Sequence, residues 1–148
     1  MHKITIFLLA IIFSATQALS CDKSDPKCVA SMVFEKGVTF RIAEIKEYYC
    51  EESKNSYELG VKVSEEAVKS FKSNGVDYYK QEVHDFSKLN YEVINKENGL
   101  TVVRITGQAK FEFKNTNFKT EKSVSEGVVL KRNDKTKTYC YLFNDKSK

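Results

Sequence analysis

The apolar residues of this chain change their spacing midway. In the first half they fall at intervals of three and four, at Val29/Ala30, Val33/Phe34, Val38, Ile42, Ile45 and Tyr48/Tyr49. That spacing keeps them on one face of a helix. Asp25-Pro26 supplies the start signal: an N-cap carboxylate, then a proline at the first helical position, where no N–H is needed. Gly37 lies inside the run and can break or bend it. Val38-Thr39-Phe40-Arg41-Ile42 also alternates, so a short strand competes there, and the longer period favours helix. Ser53-Lys54-Asn55-Ser56 reads as a loop. A second helix is predicted over 64–73, capped by Ser64, with Glu65 and Glu66 near the positive end of its dipole. Val68 and Phe71 would face inward, and Asn74-Gly75 would end it.

The second half reads with a period of two. Leu89, Tyr91 and Val93 alternate with polar residues, and 95–99 turns the chain. A long strand is predicted from Leu100 to Phe113, with Gly107 marking a bulge or bend. Asn115-Thr116-Asn117 is a turn, 118–132 a strand that bends near Gly127, 133–136 a turn, and 138–143 the last strand. Short turns between alternating runs make an antiparallel meander of four strands, and glycines inside long strands imply curvature. The predicted fold class is α+β, with N-terminal helices packed on a curved four-stranded antiparallel sheet.

The N-terminus has a different character. Lys3 precedes an apolar run from Ile4 to Phe13, and Ala18-Leu19-Ser20 puts small residues at the two positions a signal peptidase reads. The run is shorter than the ~20 apolar residues of a membrane span. The expected organisation is a signal peptide over 1–20 and a single globular α+β domain over 21–148, a normal size for one core. The protein is expected to be exported, to a periplasm or to the outside.

Export changes the reading of the cysteines, Cys21, Cys28, Cys50 and Cys140. An oxidising compartment makes disulfides the default, and four cysteines allow three pairings. The preferred one joins Cys50 to Cys140, closing a loop of about 90 residues, and Cys21 to Cys28, pinning the N-terminal tail. Cys21 has a second reading. A cysteine directly after a cleavage site resembles the lipidated first residue of a bacterial lipoprotein, although Ala18 and Leu19 depart from the usual string. A lipid there would anchor the chain to a membrane. Zinc is disfavoured, since no Cys-x-x-Cys occurs and the mature chain has His84 alone.

Composition narrows the partners. The hydrophobic fraction of 41% and charged fraction of 30% describe a globular domain. The net charge of +4 is small and scattered, and the most basic tract, 131–137, contains Asp134. A nucleic-acid binder would show a basic stripe with interleaved aromatics, so no nucleic acid is expected. No cofactor motif and no Gly-x-Ser-x-Gly elbow is present. His84-Asp85 is the one place where a histidine meets a carboxylate, and adjacent strand residues point to opposite sides. The tyrosines Tyr78-Tyr79 and Tyr139/Tyr141 are candidates for the rim of a binding face.

The order of elements and the segments Leu89-Asn-Tyr-Glu-Val-Ile94 and Gly99-Leu-Thr-Val-Val-Arg-Ile-Thr-Gly-Gln-Ala109 resemble the nuclear-transport-factor-2-like cone fold, in particular its small exported bacterial branch. A cystatin-like arrangement is the nearest competitor. The resemblance spans about Asp25 to Phe143. It implies a sheet wrapped around a helix, with a pocket at the open end. Members include isomerases, dehydratases, secretion-system scaffolds and plain binding domains, so the fold leaves the activity open. Enzymes of this fold often set a pocket carboxylate beside a tyrosine donor. The matching acids here would be Asp77, Asp85 and Glu112, and the pocket tyrosines Tyr48, Tyr91 and Tyr139. Strand parity puts Glu112 opposite Phe111 and Phe113, towards solvent. The function expected first is a non-catalytic exported domain that binds another protein of the envelope or extracellular space, such as an inhibitor or immunity protein or a secretion accessory. The alternative is small-molecule binding in the cone, with or without isomerase-like acid/base chemistry.

Overall fold

The computed structural model describes residues 21–143. The signal peptide read at 1–20 lies outside them. Helix α1 (Pro26–Val38) starts as the sequence indicates, with the Asp25 carboxylate accepting from the Lys27 N–H at 2.9 Å. It buries Val29, Ala30 and Val33. The helical face does not continue to Tyr49, and Val38–Ile42 is not a strand either. The Thr39 N–H and hydroxyl both bond back to the Glu35 carbonyl, at 3.2 and 2.7 Å. Phe40 then takes a left-handed φ of 56° and reverses the chain. The reversal sets its ring 5.2 Å from that of Tyr78, so tertiary packing overrides the local period. A 3-10 segment, Ile42–Tyr48, follows and buries Ile45 and Tyr48.

Helix α2 (Lys54–Ser73) is longer than the sequence reading gave. Ser53–Ser56 is not a loop but a short 3-10 turn leading into its first turn, and Ser64 is not a cap but the helix's one buried residue. Small residues hide this helix from a hydrophobic period. A side chain at Gly60 would meet Ile42 Cδ1 at 3.1 Å, so glycine lets the helix lie close to the 3-10 segment. Asn74 and Gly75 end α2 as expected, with Gly75 at φ 78°. Helix α3 (Tyr78–Gln81) is a single turn.

Four antiparallel strands complete the domain in the order β1-β2-β3-β4: β1 (Glu82–Glu97), β2 (Leu100–Phe113), β3 (Lys119–Asn133) and β4 (Thr138–Tyr141). The architecture is α+β, and the sheet is curled but not closed. Strand β1 begins earlier than its alternation reveals: Glu82–Asp85 pairs with Phe113–Lys110. Its first hairpin turns on Asn98-Gly99, with φ of 52° and 74°, the left-handed pair that matches strand twist. The register of β1 slips between Asp85 and Lys88, across from Ala109, and Gly107 follows opposite Leu89. Gly107 has φ 127°, and a β-carbon there would stand 2.1 Å from the Lys88 carbonyl oxygen.

Helix α1 lies on the concave face. Val29, Ala30, Val33, Ile45 and Tyr48 pack against Val103, Ile105, Val128, Leu130 and Tyr139. Two disulfides close the structure in the preferred pairing. Cys50–Cys140, with Cα atoms 4.9 Å apart, ties the 3-10 region to β4, beside a Cys50 N–H bond to the Tyr141 carbonyl at 3.0 Å. Cys21–Cys28 ties the N-terminal segment to α1. Two disulfides are compatible with an exported protein in an oxidising compartment.

Replacing Cys50 and Cys140 together by serine is expected to cost about 4–5 kcal/mol, read from urea unfolding, because the lost bridge spans 90 residues. Gly107→Ala is expected to cost at least about 2 kcal/mol, from the blocked approach and the strained φ together. Gly37→Ala, where nothing lies within 4 Å of the added carbon, is expected to stabilise the protein by about 0.4–1 kcal/mol.

Candidate functional site

Helix α1 covers only part of the concave face. Paired positions run along it from Val103/Val128 through Ile105/Glu126, Gly107/Val124 and Ala109/Lys122 to Phe111/Thr120. The first pair is buried and the last ones are not, so the face opens towards the Phe111 end. A cavity of about 810 Å³ occupies that end. Phe34, Val38 and Phe40 wall it from the end of α1, Phe71 and Tyr78 from the helices beyond, and Phe111, Phe113 and Phe118 from the sheet. The rings pack on one another: Phe71 lies 5.0 Å from Tyr78 and 5.2 Å from Phe113, and Phe113 lies 5.3 Å from Phe118. Phe118 is 48% exposed and marks the mouth. Asn74, Thr120, Lys122 and Glu126 supply the polar groups. Size and lining match those of small-molecule pockets, which run to roughly 300–1,000 Å³ with few polar groups among apolar ones.

Behind the inner wall is a charged cluster. Arg41 holds Glu82 Oε1 through Nε at 2.9 Å and through Nη2, and reaches Glu44 at 3.3 Å. Lys36 holds the other Glu44 oxygen at 2.5 Å. The Arg41 guanidinium lies 4.6 Å from the Tyr79 ring centre, and the Tyr79 hydroxyl donates to the Phe40 carbonyl at 2.7 Å. Burial, and then the Glu82 carboxylate beside it, push the Tyr78 phenol well above its usual range.

The residues singled out in the sequence are placed apart. Tyr48 and Tyr139 belong to the core, and Tyr91 donates to Glu35 Oε1 at 3.0 Å. These three do not line the aromatic cavity. Tyr78 does, and Tyr79 flanks it on Arg41, while Tyr141 packs on Tyr49 at 5.1 Å on another side of the fold. Asp77 pairs with Lys80 at 3.0 Å, Asp85 accepts from the Ser87 N–H at 2.9 Å, and Glu112 pairs with Lys119 at 3.6 Å. His84 pairs across from Phe111 and Asp85 from Lys110, so the two face opposite sides. His84 stacks on Phe86 at 4.8 Å. Two carboxylates that the sequence reading passed over stand here: Glu126, which lines the cavity, and Glu82, which lies behind its inner wall. Extending the strand period back from Leu89 across the bulge would have set Glu82 on the face of Phe113. Among the described residues no group of His, Cys, Asp and Glu side chains is arranged to hold a metal ion.

The buried phenols give stability a pH dependence. Tyr49 is pushed up to about 12 by burial and then by its neighbours Tyr141 and Tyr57, and burial and Glu35 push Tyr91 higher still. In the unfolded chain these groups lose their protons near about pH 10. Above that pH the unfolded state binds fewer protons than the folded one, so stability holds below it and falls as pH rises through it. The urea midpoint is expected to hold from about pH 8 to about pH 9.5 and to fall from there towards about pH 12, and tyrosinate absorbance is expected to show a late-ionising phenol.

No protein-family model, curated protein or solved structure matches the chain.

Proposed function

We propose that this is an exported binding domain that holds a small apolar molecule in the aromatic cavity at the open end of its curled sheet. The observation that carries the reading is the cavity itself, about 810 Å³ walled by phenylalanine and tyrosine rings from both layers of the fold. Small-molecule binding needs such a space, since a trough filled by side chains would leave a ligand no room. The cone-fold resemblance belongs to the same proposal, since a helix laid over a curved sheet with one open end is the arrangement it implies. The proposed place of action is a periplasm or the extracellular space. The Cys50–Cys140 bridge supports that choice, because it ties the 3-10 region to the sheet only where thiols are oxidised.

A second reading, a protein partner, is supported by α2. Leu59 and Val63 stand one helical turn apart on its outer side and are 63% and 54% exposed. Such a partner would leave the cavity free and would be lost on changing both residues to glutamate.

The cavity reading is tested with N-phenylnaphthylamine, a neutral dye that brightens in apolar surroundings. One dye is expected to bind per chain. Thr120→Trp fills the cavity from β3 and is expected to weaken binding more than about tenfold, with the melting temperature held within a few degrees. Undiminished binding by the tryptophan variant would place the dye elsewhere and sink the reading.

A further inference from the structure

A second, much smaller space lies beside the cavity, about 20 Å³ in volume. Tyr78, Phe111 and Phe113 line both. Thr39, Glu82, Val83, His84 and Glu112 line the small one alone. A space of this size takes one oxygen-sized group.

Glu82 is what makes it a site. Its side chain is 8% exposed. Both hydrogen bonds from Arg41 fall on Oε1. The other oxygen, Oε2, is fully buried and has no hydrogen-bond partner among the described residues. The Tyr78 phenol interacts with the same carboxylate through its hydroxyl, without satisfying Oε2. A buried carboxylate oxygen without a donor is costly, and the cost is relieved when a donor reaches it.

Charge decides what kind of donor fits. Arg41 and Lys36 face Glu82 and Glu44 in one linked cluster, two cations against two acids. The cluster lacks a donor, not a charge. An ammonium group would add a third cation to that cluster, and a carboxylate would face Glu82 and Glu112 at close range in a buried space. A neutral hydroxyl adds a proton to share and nothing else.

We propose that the molecule held in the cavity is a neutral apolar alcohol, and that its hydroxyl donates to Glu82 Oε2 while its hydrocarbon body lies among the rings. This rests on the cavity reading above, and adds the chemical class of the ligand and the residue that selects it.

The test compares two isomers, 1-decanol and methyl nonyl ether, by titration calorimetry on the disulfide-bonded protein. They share size and composition, and only the alcohol donates. The alcohol is expected to bind about tenfold more tightly. In Glu82→Gln the side-chain carbonyl stays on Arg41 and an amide N–H turns towards the small space, where it serves either oxygen. The preference is then expected to shrink below about threefold, with ether affinity unchanged or improved. Infrared difference spectra of the unaltered protein should show a carboxylate band displaced by decanol and not by the ether, a readout that needs no variant. Equal affinity for the isomers, a full preference retained in Glu82→Gln, or an unmoved carboxylate band would each overturn the assignment while leaving the cavity as a binding site. Failure of both isomers to bind would remove the cavity reading and this one with it.

Discussion

The close approach of Gly107 to the Lys88 carbonyl governs the shape of this protein. Two backbones can come this near only where one of them carries no β-carbon. The slipped register of β1 sits at the same point, so extra chain on one strand and a missing side chain on the other act together to bend the pair. The bend has a simple effect. A flat sheet of this length would offer α1 a surface it could cover only partly, with the rest left to water on both sides. A curled one gives the helix a trough at one end and leaves a shaded hollow at the other.

The two ends of the trough are held by different physics. At the covered end Val103, Ile105, Val128 and Leu130 meet Val29, Ala30 and Val33, and exclusion of water from aliphatic groups does the work. At the open end aromatic rings pack at steep angles around the cavity, each against another ring. Behind them Arg41 and Glu82 form an ion pair with little access to solvent. A pair of that kind adds little net stability, yet it penalises any arrangement that separates its members, and so it fixes the start of β1 against the reversal after α1.

Much of this was legible in the chain. Asp25-Pro26 marks the first helix, the strands and turns after Leu89 stand out by alternation and by Asn and Gly, and the cysteine pairing follows from position and compartment. The misreadings share a cause. Alternation and helical period report burial by apolar residues, and the overlooked elements bury something else. Helix α2 turns Gly60 and Ser64 inward, where closeness matters more than hydrophobicity. The first part of β1 turns Glu82 inward, on an arginine 41 positions away in the sequence but adjacent in the fold. Phe40 reverses the chain because Phe71 and Tyr78 receive it, which no local window contains. The cavity was legible only as an expectation carried by the cone resemblance, since its walls come together from segments that span most of the fold.

Helix α2 carries one consequence of its own. It has a single buried residue along its length, a serine, and it meets its neighbours through Gly60, through the rings of Tyr57 and Phe71 at its two ends, and through one phenol bond, Tyr57 to the Ala43 carbonyl at 3.3 Å. The sheet and α1 share the aliphatic core and a long-range disulfide, so α2 occupies the low end of the stability range within the same molecule. Phe71 rides on it. One wall of the hollow is therefore mounted on the part of the fold that opens at least cost, and the hollow can be unsealed by a local fluctuation that leaves the core, the bridges and the strand pairing in place.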